Sequence, residues 1–277
     1  MMHKVVSTHE RIIFMGTGDA LGMPRIGCDC TPCSVAKMST DVRVKRNQTS
    51  LFLQQPGGNL LVDAGTSVQS SFSNIASRYP MLDLAFNELF ITHHHFDHMY
   101  GLPYIEHYAK LNGKTISVHL SEEDLQVGIV QRMPWLEKYP KLQFDLIKEG
   151  RPFTMMKRTV VPFQLEHGNF RSHGFRMGDI AYLPDMTAVP ASAAEIIAGA
   201  RILILECTQK LAHPEHTSYE QAMRLLDKFS PEQAFFVHMS HDYLIYPNKE
   251  LTAGEPYFAF DGLVLDRNDK GLFKMKR

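Results

Sequence analysis

The stretch ITHHHFDHMYG, residues 91–101, gathers four histidines and an aspartate directly after an apolar run. Side chains alternate along an extended segment, so His93 and His95 lie on one side and His94 on the other. Two imidazoles on the same side can share one metal ion. We therefore interpret His93 and His95 as ligands and His94 as a bystander, in preference to a surface histidine run.

Asp97 and His98 follow where the chain turns into the next helix, and there they can face a second ion. Imidazole and carboxylate ligands without thiolate suit Zn, Mn or Fe at a hydrolytic site. The pattern His-x-His-x-Asp-His thus predicts four ligands that are divided between two metals.

Two ions need more ligands than one loop supplies, and similar positions recur downstream. His167, Asp185 and His238 each end an apolar strand-like run, in LEHG, YLPD and FFVH. A single histidine or aspartate after a strand is more often a cap or a solvated turn. The repetition of the setting nevertheless favours a shared metal site.

A second candidate metal site lies in the sequence GCDCTPC, where three of the four cysteines fall within six residues: Cys28, Cys30 and Cys33. In a reducing compartment such a cluster favours metal binding over a disulfide or free thiols. Structural zinc takes four ligands, so one position is open. His241, three residues after His238, is the favoured fourth ligand. Cys207 is the alternative, although its strand-end position could be buried.

The elements that must position these residues alternate between strands and helices, which predicts a layered α/β architecture of two sheets covered by helices. The predicted strands are Arg11–Met15, Ser50–Gln54, Asn59–Val62, Leu89–Thr92, Ser117–Leu120, Val160–Leu165, Asp179–Leu183, Arg201–Glu206 and Ala234–Val237. The predicted helices are Val68–Tyr79, Leu102–Leu111, Ala191–Ala198 and Ser218–Phe229. The region 150–160 has no readable pattern.

The composition is that of an ordinary globular protein, with 277 residues, 44% hydrophobic and a net charge of -1. The length is typical of one large domain or two small ones. We expect a single domain over residues 1–277, and the cysteine cluster indicates a zinc-binding insertion near 27–34. The small net charge does not favour binding to nucleic acid or to an anionic membrane. The start, Met1–Glu10, lacks the pattern of a signal peptide. The aliphatic run Ile202–Leu205 is too short to span a bilayer, so we expect a cytoplasmic protein.

The order of these motifs resembles the metallo-β-lactamase fold superfamily over about residues 11–265. The resemblance implies a four-layer αβ/βα sandwich with the metals at the sheet edges. Asp63 in VDAG is similar to a supporting aspartate of the superfamily's first motif. By the same resemblance, one ion is held by His93, His95 and His167. The other is held by Asp97, His98 and His238, and Asp185 bridges the two.

One branch of the superfamily shares more than the ligands. Gly16-Thr17-Gly18, the three cysteines and the His238/His241 pair resemble the phosphodiesterases of the carbon–phosphorus lyase pathway, which act on a phosphoribosyl 1,2-cyclic phosphate. The pyrroloquinoline quinone pathway B protein has a similar cysteine insertion, so the cysteines do not fix the substrate. Such relatives tend to be dimers, and the resemblance therefore implies a homodimer.

The resemblance implies two divalent ions, Zn or Mn, which would form a clamp for in-line displacement and lower the pKa of a bridging water, and a structural Zn that the cysteine site would hold. A leaving alkoxide then needs a proton. His216, just before a helix that Thr217 or Ser218 caps, is the candidate general acid, and Glu206 could orient it. The candidate catalytic residues are thus His216 and Asp97.

These features predict a metal-dependent phosphodiesterase that acts on a small cyclic or nucleotide-like substrate. A thioesterase or lactonase on the same scaffold, or a metal-bearing carrier in cofactor biosynthesis, are the alternatives. A tRNA-processing nuclease is disfavoured because the nearly neutral chain shows no long basic or glycine-rich arm.

Two further features have competing interpretations. The basic group Arg43, Lys45 and Arg46 could bind phosphate, but a solvated surface is favoured. Trp135, the single tryptophan, could form the wall of a pocket, but packing in the core is favoured.

Overall fold

The computed structural model describes residues 10–243, 251 and 255–276. Residues 1–9 of the polar start lie outside this range, as do 244–250, 252–254 and 277. In the part of the chain that it describes, no helix is both long and apolar enough to cross a membrane.

The first sheet contains eight strands among the described residues, six from residues 11–146 and two from residues 264–275. Its spatial order is β15 (Phe273–Met275), β14 (Val264–Arg267), β1 (Arg11–Gly16), β2 (Ser50–Gln55), β3 (Gly58–Val62), β4 (Glu88–Phe90), β5 (Ile116–Leu120) and β6 (Leu142–Leu146). Strands β3 to β6 run parallel, and the other pairs in the sheet are antiparallel.

The second sheet contains seven strands within the described ranges. Its order is β13 (Tyr257–Phe258), β12 (Gln233–Val237), β11 (Ile202–Glu206), β10 (Ile180–Leu183), β9 (Phe170–Met177), β8 (Arg158–His167) and β7 (Phe153–Met155). Strands β10 to β13 are parallel, whereas β7, β8, β9 and β10 form antiparallel neighbours.

Six α-helices are present in the described chain: α1 (Thr31–Met38), α2 (Val68–Arg78), α3 (Phe96–Met99), α4 (Leu102–Leu111), α5 (Ala191–Ile197) and α6 (Tyr219–Phe229). Short 3₁₀ helices span Val42–Val44 and Pro134–Lys138, and a π-helical segment spans Asp124–Gln131. Ser218 caps α6, since its side chain accepts from the N–H of Gln221 while the Gln221 side chain accepts from the Ser218 N–H, which forms a capping box.

Alternation along the strands divides the buried side chains into layers. In β1, Ile12 and Phe14 face the core between the two sheets, whereas Ile13 and Met15 face a second core under helices α2 and α4. The outer face of the second sheet packs against α5 and α6 through a third core, which includes Leu203. The result is the four-layer αβ/βα sandwich that the sequence predicted.

The structure adds elements that the sequence did not predict, and it differs from the sequence predictions in region 150–160 and at Trp135. The unreadable region 150–160 contains β7 and the start of β8, joined by a turn in which Met156 and Lys157 have positive φ. The prediction that Trp135 packs in the core is wrong, because it lies in a short 3₁₀ helix with 50% of its surface exposed, while the neighbouring Leu136 is buried.

The buried Asp261 gives a stability prediction. Burial raises its pKa to about 7 and outweighs the hydrogen bonds from the Asn47 N–H and the Thr17 hydroxyl, which lower it. In the unfolded chain this carboxyl group loses its proton near pH 3.8. The free energy of unfolding therefore falls by up to about 4 kcal/mol as pH rises from 3.8 to about 7. Asp261→Asn is therefore expected to gain unfolding free energy relative to the wild type as pH rises through this window, in urea titrations of both proteins. A constant difference would contradict the prediction.

Candidate metal centre

The candidate site lies where several parallel strands end at the same edge of the sandwich. The loop after β4 carries His93 to His98, and Asp63 follows β3 in the same sheet. In the facing sheet, His167 ends β8, and Asp185 and His238 follow β10 and β12. The chain must turn sharply at some of these ends, and both Asp63 and His238 adopt positive φ there, at 59° and 56°.

One group of ligand atoms comes from three histidines. The Nδ1 atom of His95 lies 3.0 Å from Nε2 of His93 and 3.3 Å from Nε2 of His167. Two nitrogens bound to one tetrahedral zinc lie roughly 3.3 Å apart, given zinc–nitrogen bonds of about 2.0–2.1 Å. Burial lowers the pKa of His95 to about 4 and that of His93 well below its usual range, so both rings are neutral at pH 7. The neutral ring is the form that binds metal.

A second group adjoins the first and contains the carboxylates. Asp97 Oδ2 lies 3.2 Å from Nε2 of His98 and 3.3 Å from Nε2 of His238, and these two nitrogens are 3.4 Å apart. Burial lowers the pKa of His98, but the charges of Asp97, Asp185 and Asp63 outweigh it and raise the pKa well above its usual range. The carboxylates thus require positive charge, which a divalent cation can supply instead of protons.

Asp185 lies between the two groups. Its Oδ2 atom is 3.2 Å from Nε2 of His238 in the second group, and 4.0 and 3.9 Å from Nε2 of His93 and His167 in the first. Its Oδ1 atom, 3.5 Å from Nε2 of His98, is buried without a hydrogen-bond partner among the described residues. A buried carboxylate oxygen without a donor is costly, and this position therefore fits a bridging metal ligand.

The opposite ring nitrogens of four histidines are fixed by neighbours. The Nδ1 atoms of His93 and His98 lie 3.0 Å from the Thr92 hydroxyl and 2.8 Å from the Asp63 carboxylate, respectively. Those of His167 and His238 lie 2.6 Å from the Glu215 carbonyl and 2.9 Å from the Thr208 hydroxyl. Such partners leave Nε2 free to bind metal and orient the ring.

The side chains present therefore fit two divalent cations. The donors are imidazole nitrogens and carboxylate oxygens, the rings are pre-oriented, and every member except the half-buried His95 is fully buried. Two of the candidate groups contain His93, His95, His167, Asp97, His98, Asp185 and His238, and a further overlapping group joins Glu206 and His216 to Asp185 and His238. The seven members of the first two groups are those that the sequence predicted for this site.

His216 lies at the margin of the centre, with 18% of its side chain exposed. Its Nδ1 atom lies 3.1 Å from Glu206 Oε1 and 3.7 Å from Asp185 Oδ2. Burial lowers its pKa, but the charge and hydrogen bond of Glu206 outweigh this and raise the pKa to about 9. Glu206 is itself fixed by the backbone N–H groups of Thr217 and Met186. The structure thus places Glu206 against His216, the contact that the sequence analysis expected for this pair.

The role of Glu206 leads to a pH prediction. If His216 is the general acid, it must be protonated, and activity then falls as pH rises through its pKa. In Glu206→Gln the neighbouring negative charge is lost, and we expect the alkaline limb of kcat/KM to move to lower pH by about one unit or more. Profiles of both proteins, measured with the same loaded metal, test this. An unmoved limb would show that another group sets it.

The predicted cysteine site is also assembled. The Nδ1 atom of His241 lies 3.5, 3.5 and 3.3 Å from the sulfurs of Cys28, Cys30 and Cys33. A sulfur and a nitrogen on one tetrahedral zinc lie roughly 3.5 Å apart. Cys207, the alternative ligand, is instead buried under the second sheet with its sulfur 3.5 Å from the Tyr243 hydroxyl. The donor set Cys₃His fits a structural zinc.

Several contributing residues were not found from the sequence. Thr92 and Thr208 hold the rings of His93 and His238, and a threonine after a strand carries no distinctive pattern. His94 lies outside the ligand groups as predicted, but it is not solvated: its Nδ1 atom lies 3.0 Å from Asp124, which also accepts from Ser121. The acidic Ser-Glu-Glu-Asp stretch, residues 121–124, is typical of an exposed segment and so did not indicate this buried pair.

The prediction of a solvated basic group is wrong for one of its members. Arg46 is 4% exposed, and its guanidinium donates to the carbonyls of Ser240 and Tyr243. Arg43 pairs with Asp41 at 2.6 Å, and Lys45 is half-buried at the edge of a cleft of about 570 Å³. Adjacent sequence positions here face different environments, which composition alone could not separate.

The comparisons with known proteins agree with this geometry. A family model described as the beta-lactamase superfamily domain matches residues 58–239, and the chain belongs to this family. The structure is similar to that of a diphosphatase from the PhnP family, with a TM-score of 0.79, 23% identity and coverage of 97% of this chain and 99% of the other. It is also similar to Zn(2+)-bound PqqB from Methylobacterium extorquens, with a TM-score of 0.73, 17% identity and coverage of 92% and 99%.

A curated relative extends the similarity to a longer protein. The chain is 27% identical over 278 residues to an octanoyltransferase from Porphyromonas gingivalis, which covers 95% of this chain and 52% of that protein. The chain therefore spans about half the length of this relative. Family membership and the grouped side chains together support a metal-dependent hydrolase.

Proposed function

We propose that the protein is a metal-dependent phosphodiesterase that cleaves a small cyclic or nucleotide-like phosphodiester. The observation that carries the proposal is His216, oriented by Glu206 and placed 3.7 Å from the bridging carboxylate of Asp185. A protonated imidazole at this position can donate a proton to a leaving group that would otherwise depart as an alkoxide. The similarity to a PhnP-family diphosphatase also supports chemistry at phosphorus.

Each part of the site has a role in this reaction. Two divalent ions would polarise the phosphoryl oxygen and lower the pKa of a water to near neutrality. Asp185 lies between the two ligand groups and would bind both ions, while Asp97 is a carboxylate ligand of the second group. His216 donates the proton from Nε2, since its Nδ1 faces Glu206. Glu206 holds the ring and stabilises its protonated form, because its carboxylate is fully buried beside it.

A second candidate is hydrolysis of an acyl ester or thioester. It is favoured by the octanoyltransferase relative, whose name points to acyl groups, although the chain matches only 52% of that protein. The same ligands could polarise a carbonyl, and a thiolate leaving group needs no proton from His216.

A parallel substrate assay tests these proposals. Metal-loaded protein is offered 2′,3′-cyclic nucleotides, nucleotide diesters and an octanoyl thioester, before and after chelation. We expect diester hydrolysis that is lost with the metal and restored by Zn or Mn. Thioester turnover without diester turnover would overturn the phosphodiesterase in favour of the second candidate, and no turnover of any substrate would count against both.

We also propose that the protein is a cytoplasmic homodimer that acts on a small molecule. Light scattering during gel filtration measures the mass directly, and a monomer at micromolar concentration would contradict the dimer.

A further inference from the structure

The two candidate metal sites share one short segment of chain. His238 belongs to the main centre and His241 to the cysteine site, with only Met239 and Ser240 between them. His238 adopts a φ of 56°, which is unfavourable for a residue other than glycine. Such a conformation persists only when the surrounding contacts impose it.

Backbone hydrogen bonds fix the middle of this segment. The Met239 N–H donates to the carbonyl of Thr17 at 2.9 Å, and the Met239 carbonyl accepts from the N–H of Asp19 at 3.1 Å. The Ser240 N–H donates to the carbonyl of Thr208 at 3.1 Å, next to the hydroxyl that orients His238. The segment is thus anchored to both sheets.

Arg46 connects the segment to the loop that carries the cysteines. Its buried guanidinium donates to the carbonyls of Ser240 at 2.9 Å and Tyr243 at 2.6 Å, and lies 3.1 Å from the sulfur of Met23. The backbones of Arg46 and Met23 exchange two hydrogen bonds of 2.9 Å. Met23 in turn packs in a small cluster with Cys33.

We propose that an ion in the cysteine site positions His238 for the main centre, and that Arg46 is a positioning residue in this coupling. Binding of the ion fixes His241, three residues from His238, and so removes freedom from the strained segment between them. Arg46 holds the same segment against the cysteine loop. Coupling between two binding sites is reciprocal, so ions in the main centre also strengthen binding at the cysteine site.

This inference depends on the two metal sites but not on which bond the enzyme hydrolyses. Its test is a cobalt titration of apo-protein in competition with a chelator. Thiolate-to-cobalt charge transfer reports the cysteine site, and total bound cobalt from mass spectrometry, minus that fraction, gives the occupancy of the histidine and carboxylate centre. In Cys30→Ser we expect the charge-transfer signal to collapse and the affinity of the main centre to fall about tenfold or more. Met38→Ala, an exposed position on helix α1, which directly follows Cys30, is the control and should behave as wild type.

Arg46→Lys separates the coupling from simple loss of the ion, and it remains informative if Cys30→Ser does not fold. Lysine keeps the positive charge, but its shorter side chain does not bring a donor to the position of Arg46 Nη2, the atom that donates to both carbonyls. We expect cobalt to stay in the cysteine site while the main centre binds it several-fold more weakly, with faster amide exchange in residues 238–243. A merely structural role would lower stability but leave the affinity of the folded protein unchanged. Unchanged affinity in the folded variants overturns the proposal.

Discussion

Asp185→Asn is expected to abolish turnover, with a fall in kcat of about 10³-fold or more and loss of bound metal. The carboxylate is fully buried, one oxygen faces both ligand groups, and the other has no hydrogen-bond partner among the described residues. An amide has the same shape but no negative charge, and its NH₂ group cannot bind a cation. Activity at saturating metal and metal content by mass spectrometry measure the effect.

Asp261→Asn is the matched control for this change. Asp261 is also largely buried, at 9% exposure, but it belongs to none of the metal-ligand groups found among the described residues. It should keep full metal content and activity at neutral pH. If Asp185→Asn also kept two tightly bound ions, the bridging role of Asp185 would be wrong.

His216→Gln is expected to slow cleavage of a diester with an alkoxide leaving group by about 10²–10⁴-fold, the usual contribution of a general acid. The variant should retain its metals, since the groups His93, His95, His167 and Asp97, His98, Asp185, His238 are complete without His216, although His216 also lies within reach of Asp185 and His238. With a p-nitrophenyl diester the leaving group is stable without a proton, and the loss should be less than about tenfold.

The contrast between the two substrates is the informative measurement. His107→Gln is the control, because this exposed histidine on helix α4 belongs to none of the ligand groups found among the described residues. Equal losses on both diesters would show that His216 acts on binding or on the metals instead of on the leaving group.

Much of the fold could be predicted because both faces of its central strands are buried, which gives compact apolar runs such as Ile202–Leu205. Strand β9 was missed since its sequence mixes Arg171 and Arg176 with buried residues, and pairing with β8 overrides this weak local pattern. Helix α1 was missed because it is short and packs in a small cluster around the cysteines.

The metal ligands of the site could be predicted from the sequence, but the residues that orient them could not. Ligands such as Asp185 and His238 follow strands, and the ends of parallel strands meet at one edge. The partners that orient them include the Glu215 carbonyl and the guanidinium of Arg46, which depend on the tertiary fold and have no sequence pattern. Sequence therefore indicates the ligands of a site more readily than the contacts that support them.

A crystal structure of the zinc-loaded protein, with anomalous scattering at the zinc edge, tests the central claim most directly. We predict two peaks about 3.5–4 Å apart, one against His93, His95 and His167 and the other against Asp97, His98 and His238. An oxygen of Asp185 should bind each ion, and a third peak should lie among the cysteines. A single ion that Asp185 does not contact, or ions bound only outside these residues, would contradict the account.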